Sequence, residues 1–218
     1  RDFTVNAMAI ELTTPTPEFI DPYNGVTDLL KKSLRTPSTP ELSFSDDPLR
    51  MLRAARFAAQ LGFTIDEAVV EAMKAMADRL SIISAERIRD EFVKTLMSEN
   101  PRTGITILVD TGLCEKFLPE IPKLRLEIDE HHHHKDVYEH TLTVVEQSMA
   151  LEERLGGPNL VARLAALMHD VGKPKTRALI AGGGVSFHHH EVVGARMTKE
   201  SLKKLRFDHH VVEDVSQL

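Results

Sequence analysis

The stretch DDPLRMLRAARFAAQLGF, residues 46–63, sets two aspartates ahead of a proline and then places arginines at 50, 53 and 56. Residues three apart on a helix are neighbours, so Asp47 would stand beside Arg50, with Arg53 and Arg56 continuing as a slanting ribbon. A carboxylate accepts from the exocyclic amine of cytosine or adenine, and a guanidinium donates to the ring nitrogen or carbonyl beside it. One Asp–Arg pair could therefore read both bases and reject guanine and uracil. The remaining arginines suit a triphosphate, which planar bidentate donors hold well. The competing reading of the same ribbon is a surface stripe, ion-paired to Asp and Glu of neighbouring helices.

The elements that must position this ribbon are legible. Asp47 is a good N-cap, Pro48 suits the first helical position and Gly62 suits the stop, which predicts a helix of about 14 residues. TIDEAVVEAMKAMADRL (64–80) follows at helical spacing. Ser84 can cap AERIRDEFVKTLMS, where Ile88, Phe92 and Leu96 share a face. Pro101 opens another helix that Gly112 can close. Upstream, residues 1–35 form the only β-like part. RDFTVNAMAIEL reads as a strand already in progress, EFIDPYNGVTDLL carries a Pro-Tyr-Asn-Gly turn, and RTPSTPELSF is a proline-punctuated connector. The fold class expected is mainly α with a small β remnant. Three regions follow from this reading: 1–35, a helical 36–125, and 126–218.

The last region carries all eleven histidines. Asp136 can cap a helix containing His140. LVARLAALMHDVG (160–172) is a strongly apolar helix ending in His169-Asp170, and HEVVGARMTKESLKKL (190–205) is helical again. The run His131–His134 reads as a solvated loop rather than a purification remnant. His188, His189, His209 and His210 read as surface residues, and AGGG (181–184) as a flexible loop.

Composition excludes several classes. Cys114 is the single cysteine, so neither a disulfide framework nor a cysteine zinc cluster is available, and a reducing, cytoplasmic setting is expected. No apolar run approaches the roughly 20 residues of a membrane span. The formal net charge is −6, so any RNA contact must be local. The chain opens without methionine and closes inside a helical pattern, as expected of part of a longer protein.

Two resemblances follow from these motifs. RDFTVNAMAIEL, DPYNGVTDLL, DDPLRMLRAARFAAQLGF and ISAERIRDEFVKTL resemble four successive motifs of class II tRNA nucleotidyltransferases, the CCA-adding enzymes, with bacterial poly(A) polymerases as close relatives. The resemblance covers residues 1 to about 97. It implies addition of CCA to tRNA 3′ ends from CTP and ATP. It places Arg1, Asp2 and Asn6 in a motif handling the nucleotide's sugar and phosphates. Asp47 and Arg50 fall in the amino-acid template, Arg53 and Arg56 among the other nucleotide contacts, and 84–96 in a segment bracing the template helix. The stretch around Asp21 to Asp28 resembles a flexible link. Asp46 stands where the family often has Glu. The family's Gly-Ser loop and the two carboxylates that hold Mg2+ are not among the 218 residues, so this chain is not expected to catalyse nucleotide addition itself. Poly(A) addition, CC-only or A-only addition, and a catalytically silent RNA-binding module are the alternatives.

His140, then LAALMHD with Gly172-Lys173, then FHHHEVVGA resemble the HD superfamily of metal-dependent phosphohydrolases over residues 131–218. This implies a divalent transition metal held by His140, His169 and Asp170, with His190 in a supporting or phosphate-facing place. A further aspartate ligand is expected beyond Leu218, since Asp214 does not sit in the family's final motif. Lys173 and Arg177 either meet substrate phosphates or solvate a helix end. Phosphatase or 2′,3′-cyclic phosphodiesterase activity is expected as an accessory, with a stand-alone phosphohydrolase as a further alternative.

Overall fold

The structure is a computed structural model and describes residues 1–13, 15–125, 136–180 and 185–217. The runs His131–His134 and AGGG lie outside the described residues. The chain is mainly helical, with three two-stranded sheets among the described residues.

The first region is less β-like than its sequence suggests. RDFTVN does not form a strand: Phe3 leads into a 3-10 turn over Thr4–Asn6, closed by Asn6 Oδ1 accepting from the Phe3 N–H at 3.1 Å. Only β1 (Ala9–Glu11) and β2 (Glu18–Ile20) pair as an antiparallel hairpin. The PYNG turn feeds a helix, α1 (Gly25–Leu30). Its first amides are accepted by Asp21, from Gly25 N–H at 2.6 Å and Val26 N–H at 3.0 Å. A Cβ on Gly25 would lie 2.3 Å from the Thr4 carbonyl oxygen, so only glycine allows this helix to dock on the opening turn. β3 (Ser33–Leu34) then pairs in parallel with β4 (Thr64–Ile65).

The connector RTPSTPELSF contains a helix that its prolines conceal. Thr39 caps α2 (Pro40–Asp46), with Pro40 at the first turn where no amide partner is needed. Asp47 closes α2 as its C-cap, and its carboxylate also accepts the Leu49 amide at 3.1 Å, the bond expected of an N-cap for the next helix. Pro48 stands between, and α3 runs over Leu49–Leu61 to a left-handed Gly62. Then follow α4 (Glu67–Met76), a 3-10 segment over Ala77–Ile82, α5 (Ala85–Leu96), capped by Ser84, and α6 (Pro101–Asp110).

α3 is the centre of this half. Met51, Leu52, Ala54, Ala55, Ala58 and Ala59 are buried on it, and the small alanines let α5 and α6 close in. At Gly104 of α6 an added Cβ would meet Thr95 Cγ2 at 2.3 Å and Ala59 Cβ at 3.0 Å. With the apolar stripe committed inward, the arginines at 50, 53 and 56 emerge along the other side.

Beyond residue 135, Asp136 caps α7 (Val137–Ala150) and Asn159 caps α8 (Leu160–Met168). A short α9 (Lys173–Thr176) is followed by the hairpin of β5 (Ala178–Leu179) and β6 (Val185–Ser186). α10 (His190–Lys204) and α11 (His209–Val215) complete the fold. The buried side chains of both halves form one continuous core. No described helix is long and apolar enough to cross a membrane.

Candidate functional site

Two clusters carry the residues with chemistry. The first lies along α3. Asp2 sits between two guanidinium groups: Arg53 Nε donates to Asp2 Oδ2 at 2.8 Å, Arg53 Nη2 reaches the same oxygen, and Arg50 Nε lies 3.6 Å from Oδ1. One helix turn on, Glu91 of α5 is buried and faces Arg56 Nε at 2.9 Å, Lys94 Nζ at 3.3 Å and Arg53 Nη1 at 4.0 Å. The Arg56–Glu91 contact is an ion pair rather than an aligned hydrogen bond. Burial lowers the Arg56 pKa from its ordinary value, against the pull of Glu91. The Arg56 guanidinium also stacks over Phe57, 4.4 Å from the ring centroid.

Three arginines and a lysine thus surround two carboxylates. The ribbon is largely ion-paired to acids of neighbouring segments, as the plainer sequence reading expects, with Asp46 a further exposed partner of Arg50. Arg50 and Arg53 retain 20% and 30% side-chain exposure, enough for an anion to reach them.

The expected pairing of Asp47 with Arg50 is not what the structure places together. Asp47 and Arg50 each have other partners. Arg50 Nη1 donates to Ser43 O and Ser43 Oγ, both at 3.1 Å, and lies 3.8 Å from Asp46 Oδ2. Asp47 Oδ1 accepts from the Leu49 N–H at 3.1 Å, and its Oδ2 accepts from Arg87 Nη2 at 3.0 Å. Arg1 is exposed at the start of the chain. Asn6 spends its carbonyl oxygen on the Phe3 turn.

The second cluster is built by α7, α8 and the turn after it. His140 lies in the second turn of α7, and its ring meets that of His169 edge to face at 5.5 Å. One donor atom each from His140, His169 and Asp170 lies within 4.8 Å of the others, a set that could hold a metal ion. The orientation suits ligation. His169 Nδ1 lies 2.8 Å from Ala166 O, so this nitrogen donates to the carbonyl and Nε2 faces Asp170. That Nε2 stands 3.2 Å from Asp170 Oδ2. A neutral ring in this tautomer would set a lone pair against the carboxylate, so the geometry calls for a cation there, a proton or a metal. Burial opposes the charged form of His169, but its contacts with Asp170 and Ala166 prevail and raise the pKa. Burial likewise works against ionised Asp170, yet His169 and Lys173 hold it down to about 2. The donor set of two imidazoles and a buried carboxylate therefore fits a divalent metal.

Around the set, Lys173 Nζ lies 2.6 Å from Asp170 Oδ2. His190 Nε2 lies 3.7 Å from Asp170 Oδ1, its ring fixed by Nδ1 donating to Phe187 O at 2.9 Å. Gly172 makes this possible: a Cβ there would sit 2.0 Å from His190 O and 2.8 Å from Gly194 N. Asp214 is exposed on α11 and stands outside the set. His188, His189, His209, His210 and Arg177 are exposed.

Sequence reasoning missed Arg87 and Glu91 as individuals. Their signal was present: Arg87, Glu91 and Lys94 recur at four- and three-residue steps along one side of α5, beside the stripe of Ile88, Phe92 and Leu96.

Comparison with known proteins finds family models over two stretches of the chain and relatives along nearly all of it. A family model described as the probable RNA and SrmB-binding site of polymerase A matches residues 62–124, and the HD domain model matches 137–218. The chain is 37% identical over 212 residues to a protein of Deinococcus radiodurans named A-adding tRNA nucleotidyltransferase, covering 94% of this chain and 47% of that one. It is 35% identical over 217 residues to a Neisseria meningitidis protein named multifunctional CCA protein, covering 98% and 49%. The chain thus spans about half the length of the curated relatives it matches. Among solved structures, a CCA-adding enzyme in complex with ATP superposes with a TM-score of 0.66 at 23% identity, covering 99% of this chain and 44% of that one. The Thermotoga maritima CCA-adding enzyme complexed with tRNA does so with a TM-score of 0.66 at 24% identity, covering 99% and 45%. At these identities the superpositions speak for the fold.

Proposed function

Because the chain belongs to the family of CCA-adding enzymes and poly(A) polymerases, we propose that the whole protein adds CCA to the 3′ end of tRNA from CTP and ATP in the cytoplasm, with residues 36–125 recognising the nucleotide. The observation that carries this reading is the cation-rich face of α3, where Arg50 and Arg53 converge on Asp2 and Arg56 packs against Glu91. In this reading Asp2 occupies, by its own carboxylate, the place where phosphate oxygens meet the guanidinium forks. A nucleoside triphosphate brings more negative charge than one carboxylate and competes for the same donors. Asp47 is the acceptor for the exocyclic amine of cytosine or adenine, and Arg50 turns from Ser43 to complete the pair. Arg1 and Asn6 share the opening motif with Asp2 and are assigned the nucleotide's sugar and phosphates by the family resemblance, Asn6 through its amide nitrogen since its oxygen holds the Phe3 turn. Nucleotidyl transfer is assigned to the whole protein together with its Mg2+.

The test is incubation of the full-length protein with tRNA lacking its CCA end and labelled CTP or ATP. Incorporation of both supports the reading, and incorporation of neither sinks it. A second reading, A-only addition, is favoured by the name of the Deinococcus relative. It predicts that only tRNA already ending in CC is extended, and only with ATP.

For residues 126–218 we propose an accessory phosphohydrolase. His140, His169 and Asp170 would hold a divalent transition metal, which supplies a water of lowered pKa and polarises a phosphoryl oxygen. His190 and Lys173 flank it and would orient a phosphate ester such as a 2′,3′-cyclic phosphate. If His169→Ala and Asp170→Ala leave metal-dependent hydrolysis by the full-length protein unchanged, the assignment fails.

A further inference from the structure

The corner between α2 and α3 is held by two arginines that come from outside it. Arg79, in the 3-10 segment after α4, donates from Nη2 to Ser45 O at 3.1 Å. Arg87, in the first turn of α5, donates from Nη2 to Asp47 Oδ2 at 3.0 Å. The two contacts look alike but act on different things. Arg79 grips backbone at the end of α2, whereas Arg87 grips the side chain placed to meet a base.

Asp47 needs such a grip. It lies in neither helix, its backbone is extended with φ −146° and ψ 101°, and no helical neighbour fixes its rotamer. Two hydrogen bonds do so instead. Oδ1 is tied to the Leu49 amide and Oδ2 to Arg87. A carboxylate offers about four acceptor sites, so each oxygen keeps one for a ligand after these bonds. The carboxylate stays 31% exposed and Arg87 52% exposed, so the pair sits at an open edge.

We infer that Arg87 is a positioning residue that sets base specificity, by fixing which lone pairs of Asp47 face the incoming nucleotide. This inference rests on the proposed function. Cytosine and adenine each present an amine that an oriented Asp47 oxygen accepts. Uracil presents a carbonyl at the equivalent place, which meets the same oxygen as one acceptor against another. Discrimination depends on the carboxylate being held there, since a freely rotating Asp47 could turn its oxygens away and tolerate the wrong base. One correctly oriented polar contact to a base edge corresponds to roughly tenfold or more in selectivity.

The experiment measures kcat/KM for CTP and for UTP with the full-length protein on tRNA lacking its terminal nucleotides, in wild type, Arg87→Met, Arg87→Lys and Arg79→Met. Melting temperatures are recorded alongside. The expected result is a CTP-to-UTP ratio at least tenfold lower in Arg87→Met, partly restored in Arg87→Lys, and unchanged in Arg79→Met. An Arg87→Met protein that loses activity on both nucleotides in proportion, keeping the wild-type ratio, overturns the inference and makes Arg87 a brace. So does an equal fall of the ratio in Arg79→Met, which would assign selectivity to corner rigidity. If Arg87→Met does not fold, Arg87→Lys decides alone, through an intermediate ratio or an unchanged one. A wild-type protein with no preference for CTP over UTP instead removes the functional reading beneath the inference.

Discussion

Arg163, buried in α8, donates from Nη1 to the carbonyl of Leu96 at 2.9 Å, across the boundary between the two helical halves. The same nitrogen reaches Ser98 O at 2.8 Å, and the rest of the fork binds Glu152, Nε to Oε1 at 2.6 Å and Nη2 to Oε2 at 2.8 Å. The last carbonyls of a helix lack partners within it. Arg163 therefore completes the end of α5 from the helix that leads into His169 and Asp170.

Replacing Arg163 with Met is expected to destabilise the protein by about 3 kcal/mol, because it strands Glu152 and two carbonyls under the surface. Urea unfolding measures this. A change below about 1 kcal/mol would show that water satisfies the stranded groups and that the fork is not a staple.

The same pair predicts an acid limb in the stability curve. The Arg163 hydrogen bonds lower the pKa of Glu152, prevailing over burial, with the Asn159 amide assisting at 3.0 Å. A depressed folded-state pKa contributes stability above the unfolded value of about 4.3, and that contribution is lost as pH falls through the lower folded value. Wild type should therefore lose stability more steeply than Glu152→Gln below about pH 4.3. Parallel curves for the two proteins would remove Glu152 from the account.

Much of this architecture was legible in local chemistry. Ser84, Asp136 and Gly62 are caps in the structure because a short oxygen acceptor or a glycine satisfies a helix end wherever it falls. Asp47 was legible only in part because two helices meet there: its carboxylate accepts the Leu49 amide of α3 as read, but it also ends α2, whose own start was hidden in proline-rich sequence. The partners of the arginines were not legible. Asp2 is distant in sequence from Arg53, and no local pattern brings them together. The cluster of His140, His169 and Asp170 was legible as motif spacing, whereas the orienting carbonyls of Ala166 and Phe187 belong to the backbone and leave no trace in side-chain identity.

Gly172 links the loop of the second cluster to α10. A Cβ at this position meets backbone atoms, His190 O at 2.0 Å and Gly194 N at 2.8 Å, and these cannot rotate aside. Gly172→Ala is expected to cost at least 1–3 kcal/mol, as overpacking does, and to push His190 away from Asp170. Thermal unfolding reads the first effect. The second appears in the His190 imidazole NMR signals, which should shift while those of exposed His209 and His210 do not. A fully stable Gly172→Ala protein with an unmoved His190 signal would contradict the close approach.

Lys173 gives the last prediction. Its ammonium lies 2.6 Å from Oδ2 of Asp170, a residue of the ligand set, so an arriving metal ion meets a tethered cation already in place. Binding must displace that ammonium or share the carboxylate with it. Either cost disappears in Lys173→Met, which keeps the length and apolar stem of the side chain. Calorimetric titration with Mn2+ should therefore show several-fold tighter binding to Lys173→Met than to wild type, and no saturable binding to His169→Ala. Metal that binds the folded state also raises its melting temperature by mass action, which gives an independent readout. Equal or weaker Mn2+ affinity in Lys173→Met would mean that the ammonium supports the site instead of competing for it, by keeping Asp170 ionised and oriented.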